Sequence, residues 1–164
     1  MSNIVISISG SPATGKSKLA GLLAKELHFS RLDLHDHYKD ISIGYNRSKQ
    51  CYDVDLKKFE KLVKEKVKKV EKGLIVDSHI AHLLPQKLVD LCIIITCSDL
   101  KKLERRLKKK KYSKKKIREN LDAEIFQVCL NEAKEKGHKV ITFDTSKINK
   151  KEDITKKIRI SLDI

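Results

Sequence analysis

Ile4-Val5-Ile6-Ser7-Ile8-Ser9-Gly10-Ser11-Pro12-Ala13-Thr14-Gly15-Lys16-Ser17 is the stretch that decides the fold class of this 164-residue chain. It opens as a short apolar run of strand type and closes on G-x-x-x-x-G-K-[ST], matched at every fixed position from Gly10 to Ser17. Directly after it, Leu19, Leu22, Leu23 and Leu27 recur at helical spacing. A strand, a glycine loop and an amphipathic helix in that order predict a P-loop. Its glycines let consecutive backbone N–H groups turn inward, and the helix adds the positive end of its dipole, forming a nest for phosphate. Lys16 is then expected to reach the β- and γ-phosphates of ATP, and Ser17 to offer its hydroxyl to Mg²⁺.

Working outward, short apolar runs alternate with amphipathic segments, and there is no linker or internal repeat. Strands are expected at Ile4–Ser9, Arg31–Leu34, Leu74–Val76, Leu91–Thr96 and Val140–Phe143. Helices are expected at Ser17–Leu27, after an Asp55 cap up to a stop at Gly73, at Asp99–Lys110, at Lys114–Glu135 and at Glu152–Leu162. The Lys114–Glu135 segment shows Ile117, Leu121, Ile125, Val128 and Cys129 as a core-facing stripe. Asp36–Asp53 is polar and aperiodic, with a turn signal at Gly44-Tyr45-Asn46. Five strands separated by helices predict one α/β domain over residues 1–164, a five-stranded parallel sheet with helices on both faces. Ligands of such sheets sit beyond the carboxyl ends of the strands.

Composition narrows the function classes. No run nears the roughly 18 apolar residues of a membrane span, and the N-terminal run has no basic leader, so a cytoplasmic location is expected, or a nuclear one in a eukaryote. The cysteines Cys51, Cys92, Cys97 and Cys129 form no C-x-x-C pair and are expected to be reduced, partly buried thiols. A net charge of +15 predicts a polyanionic partner such as RNA, or reflects a general bias towards lysine.

Further positions carry chemistry. Asp77 ends an apolar run and is a candidate to hold Mg²⁺ with Ser17. His79, two residues on, either orients a water or is a hydrogen-bonded histidine at a strand end. Between Lys101 and Arg118 stand twelve Lys or Arg residues against one acid, Glu104. Arg106 and Lys110, one helical turn apart, are the candidate lid cations, with the lid at about 109–119. Tyr112 is expected to pack rather than to stack on a base. Asp36 and Arg47 are the candidates for substrate binding in a monophosphate-binding segment at about 33–54. His35 and His37 flank Asp36, a weak pattern for a metal.

These residues resemble the small adenylate kinases of the isoenzyme-6 type. The resemblance rests on the P-loop, on Asp36, on the D-x-H strand end at Asp77-Ser78-His79, and on Arg105-Arg106-Leu107 with Tyr112. It rests above all on Glu119-Asn120 followed by Ala123-Glu124-Ile125-Phe126-Gln127-Val128. It implies a nucleoside-monophosphate-kinase fold, ATP loop residues at Ala13, Thr14, Gly15, Lys16, Ser17 and Lys18, and catalytic roles for Asp77 and His79. It also implies reversible transfer between ATP and AMP, weak ATPase activity, and a role in maturing the small ribosomal subunit through a ribosomal protein and rRNA. A monomer is expected. The chain departs from the family at Lys110-Lys111-Tyr112, where R-G-Y is usual: lysine keeps the charge but loses the bidentate fork. Three readings follow: a nucleoside-monophosphate kinase, an ATP-driven ribosome assembly factor, and a P-loop kinase for another small metabolite.

Overall fold

The structure, a computed structural model, describes residues 2–147 and 150–164. Five strands form the central sheet: β1 (Ile4–Gly10), β2 (Ser30–Asp33), β5 (Gly73–Asp77), β6 (Leu91–Thr96) and β7 (Val140–Asp144). Their order is β2-β5-β1-β6-β7 and every pairing is parallel. Around it lie α1 (Lys16–Leu27), α2 (Tyr38–Ile41), α3 (Leu56–Val67), α4 (Leu100–Lys109), α5 (Lys114–Ile125), α6 (Val128–Glu135) and α7 (Lys151–Leu162). A separate antiparallel hairpin pairs β3 (Ser42–Asn46) with β4 (Cys51–Val54).

Strand alternation sorts the core into two layers. Val5, Leu74, Val76, Cys92 and Ile94 turn to one face, against Phe59 and Val63 of α3 and Ala133 of α6. Ile6, Ile8, Ile75, Leu91, Ile93 and Ile95 turn to the other, against Leu19, Ala20, Leu23 and Leu27 of α1 and Ile154 and Ile158 of α7. Strands buried on both faces read as continuous apolar runs, which is why β5 and β6 were legible. A third, smaller cluster of Cys97, Leu103, Leu107 and Ile117 joins α4 to α5.

Three local expectations need correction. The aperiodic Asp36–Asp53 segment holds α2 and the hairpin; Tyr45 and Asn46 lie in β3, and the turn falls at 47–50. This two-stranded ribbon packs too little of its surface to show a period. The long helix over Lys114–Glu135 is two helices, because Gln127 adopts left-handed φ 51°. Ile125 and Val128 consequently fall outside the core stripe, at 53% and 37% exposure. Gly73 is no helix stop: α3 ends at Val67, and Gly73 starts β5, where a Cβ would stand 2.6 Å from the Phe29 ring. The Asp55 cap is present, accepting from the N–H groups of Lys57 and Lys58. All four cysteines are free. No helix among the described residues is long and apolar enough to cross a membrane.

Candidate active site

β1 lies between β5 and β6, so its end delivers the Gly10–Lys16 loop to the middle of the sheet's carboxyl edge. Gly10 has φ +152°, and a Cβ there would come within 2.4 Å of the Ile95 carbonyl oxygen. Only glycine fits that approach. The loop's own carbonyls are held from outside. Thr14 Oγ1 donates to Ser11 O at 2.7 Å, Arg106 Nη1 to Ala13 O at 3.3 Å, and Thr145 Oγ1 to Thr14 O at 2.7 Å. Helix α1 has no side-chain cap, so its first N–H groups are available to an anion.

Lys16 Nζ donates to Ser11 O at 3.2 Å. Burial pushes its ammonium below the ordinary lysine range, while the Asp77 carboxylate works in the opposite direction. Asp77, at 2% exposure, ends β5 and accepts from Arg31 Nη2 at 2.6 Å. The same Arg31 nitrogen reaches Asp33 Oδ2 at 3.2 Å, because the β2–β5 register sets Asp33 beside Asp77. His79 is pushed down to about 4, first by burial and then by the positive charge of Lys16, with Lys116 also contributing. It is therefore neutral at physiological pH.

Lys16, Asp77 and His79 share one cleft of 1280 Å³. Ala13, Thr14, Gly15, Lys16, Ser17, Lys18, Asp77, His79, Arg106 and Lys110 all line it, while Gly10 lies beneath the loop. Asp36 and Arg47 do not line it; both are exposed, Asp36 before α2 and Arg47 on the hairpin turn. Their neighbours take the wall instead: His35, Tyr38, Tyr45, Gln50 and Tyr52. Tyr38 and Tyr52 stack at 5.0 Å between centroids, and Tyr45 meets Tyr52 edge-on at 5.1 Å. All four tyrosines of the chain line the cleft, Tyr112 among them. Three of them fall within residues 38–52, a clustering visible in the sequence itself. Among the described residues no His, Cys, Asp and Glu cluster of three or more could hold a metal, so His35 and His37 form no such site.

Across the mouth of the cleft the hairpin meets the α4–α5 turn. Ser113 N donates to Gln50 Oε1 at 2.8 Å, Lys116 Nζ donates to Gln50 O at 2.6 Å, and the same ammonium lies 3.9 Å from the Tyr112 ring centre. Beneath the P-loop a buried polar chain ties α6 to the end of β1. Ser9 Oγ and His82 Nδ1 are 2.7 Å apart, and His82 Nε2 and Glu132 Oε2 are 2.7 Å apart. Ser9 and His82 are at 0% and 2% exposure. No substrate reaches them, and the chain serves to fix the root of the loop.

A family model described as an AAA domain matches residues 6–127. The chain is 36% identical over 135 residues to the adenylate kinase isoenzyme 6 homolog of Dictyostelium discoideum, covering 79% of this chain and 73% of that protein. It is 36% identical over 132 residues to the homolog of Schizosaccharomyces pombe, covering 79% and 74%. Among solved structures it resembles the YorR protein of Bacillus subtilis, determined in complex with phosphorylated GDP. The TM-score is 0.60 at 16% identity, covering 98% of this chain and 96% of that one, a likeness of fold alone.

Proposed function

The chain belongs to the adenylate kinase isoenzyme 6 family, and from that premise we propose that it transfers the γ-phosphoryl group of ATP to AMP, yielding two ADP. The observation that carries this reading is the two-sided cleft: a P-loop on one wall, and a hairpin faced with tyrosines on the other. We assign the hairpin to the acceptor, with Tyr45 and Tyr52 offering π-faces to its base, and the α4–α5 turn to the lid. Base–aromatic stacking contributes about 1–3 kcal/mol per base.

In this reading Lys16 and the N-terminus of α1 take the donor's β- and γ-phosphates, and Arg106 and Lys110 bring positive charge over them from α4. A phosphate oxygen of AMP attacks the γ-phosphorus, and the bond from that phosphorus to the β,γ-bridging oxygen breaks to release ADP. The attacking oxygen is already ionised near neutral pH, so no general base is needed, and positioning supplies most of the acceleration. Ser17 and Asp77 line the cleft together and present a hydroxyl and a carboxylate, the hard oxygens that suit Mg²⁺. When bound there the ion neutralises charge on the β- and γ-oxygens. In the same reading neutral His79, which lines the cleft, orients a water for slow hydrolysis in the absence of acceptor.

The test follows ADP and nucleoside-diphosphate formation with ATP, Mg²⁺ and each nucleoside monophosphate in turn. AMP-dependent ADP formation well above hydrolysis of ATP alone is the expected result. Hydrolysis without phosphorylation of any monophosphate would instead favour the second reading, an ATPase in small-subunit maturation. The exposed lysines Lys108, Lys109, Lys111, Lys114 and Lys115 and the net charge of +15 favour that reading. It predicts RNA binding that weakens steeply with salt.

A further inference from the structure

We propose that Lys116 is the cation that holds the phosphate of the acceptor nucleotide. The inference rests on the kinase reading above and goes beyond it, since neither Arg47 nor Asp36 reaches the cleft.

Lys116 is at 7% exposure yet lines the cleft wall. A lysine is rarely buried unless paired with an anion. Among the described residues no carboxylate stands within ion-pair distance of it. Its contacts are the Gln50 carbonyl oxygen at 2.6 Å and the face of Tyr112 at 3.9 Å. A carbonyl and an aromatic ring orient an ammonium group without neutralising it. The charge is thus fixed in place at the cleft wall without a carboxylate from the described residues, and the phosphate monoester of an acceptor nucleotide is the anion that would neutralise it.

Position points the same way. Lys16 and Arg106 sit at the P-loop through Ser11 O and Ala13 O, on the donor side. Lys116 is tied to the hairpin at Gln50, two residues before Tyr52. On the hairpin side the lining is His35, Tyr38, Tyr45, Gln50, Cys51 and Tyr52, with no Lys or Arg among them. Lys116 is hydrogen-bonded to that wall through Gln50 O, so a phosphate held by its ammonium lies beside the tyrosines of the hairpin.

Equilibrium binding without turnover tests the assignment, with AMP, adenosine and a non-hydrolysable ATP analogue as probes. Lys116→Met removes the ammonium; Lys116→Gln removes the charge but keeps a donor for Gln50 O, and covers the case in which the methionine variant does not fold. The expected result is a loss of AMP affinity of about tenfold or more in these variants. Adenosine and ATP-analogue affinities should stay within about twofold, and Lys116→Arg should recover most of the AMP affinity. Unchanged AMP affinity in both variants would overturn the assignment and leave the kinase reading standing. Equal losses for AMP and adenosine would also overturn it, making Lys116 a clasp for the hairpin alone. If the wild-type protein binds no nucleoside monophosphate, the kinase reading and this assignment fall together.

Discussion

Arg31 Nη2 stands 2.6 Å from Asp77 Oδ2, joining the edge strand β2 to the end of β5 directly below the cleft. Asp77 is nearly inaccessible, and Arg31 supplies the ion pair that compensates its buried charge, with Asp33 sharing the same guanidinium. One contact therefore serves both the sheet edge and a carboxylate that lines the cleft.

Removing that guanidinium leaves a buried carboxylate uncompensated. Breaking a buried pair costs about 3–5 kcal/mol, and the partial exposure of the arginine reduces this to about 1–3 kcal/mol. Arg31→Met should lower the denaturation midpoint accordingly, with Arg31→Lys intermediate. A chemical-denaturation series checks the order; a methionine variant as stable as wild type would show that the pair contributes nothing to the fold.

Lys16→Ala should leave the fold intact, since its ammonium makes one bond, to Ser11 O. ATP turnover should fall by about 10²–10³-fold, the scale for losing one preorganised charge-stabilising group. Circular dichroism and a turnover assay separate the two effects. Normal turnover would remove the P-loop from the catalytic account.

Gly10→Ala places a methyl group 2.4 Å from Ile95 O at φ +152°. The backbone must shift, at a cost of about 1–3 kcal/mol. Because the displaced segment is the root of the phosphate loop, nucleotide affinity should fall along with the melting temperature. Calorimetric titration with ATP tests this, and a variant that loses stability alone would place the strain outside the loop.

Asp144 gives a pH signature. Burial acts to raise its carboxyl, but hydrogen bonds from Ser146 and Ser98 outweigh burial and hold it at about 2, against 3.8 unperturbed. A depressed folded-state value stabilises the protein above the unfolded value, and this contribution is lost as pH falls through the folded one. Asp144→Asn should therefore lower Tm by about 2–4 °C at pH 7. The difference should shrink between pH 4 and pH 2. Thermal melts at several pH values read it; a pH-independent difference would assign the effect to packing.

The sequence made the sheet readable because its strands are buried on both faces and separated by amphipathic helices. β1, β5 and β6 needed only their apolar runs, and α1 only its periodicity. Where burial is partial, the pattern weakens. The hairpin of Ser42–Asn46 with Cys51–Val54 has no fully buried residue, so no alternation marked it. The break at Gln127 depends on a left-handed backbone conformation that no apolar spacing records.

The site divides along the same line. From Pro12 to Lys18 the residues that share the cleft are contiguous, and a P-loop is specified locally, by where glycine is required and where Lys16 follows. Asp77 ends a buried strand and His79 lies two residues beyond it, so the apolar run before them was enough to place both at the carboxyl edge of the sheet, where they line the cleft. The opposite wall is assembled from distant segments. Tyr45 and Tyr52 come together through strand pairing, Gln50 meets Lys116 across 66 positions, and Arg31 reaches Asp77 across 46. The sequence by itself determined the parallel sheet and the phosphate loop, since both follow from local pattern. Tertiary structure alone decided that Lys116 faces the cleft and that Arg47 points to solvent, because side-chain burial depends on contacts between segments far apart in the chain.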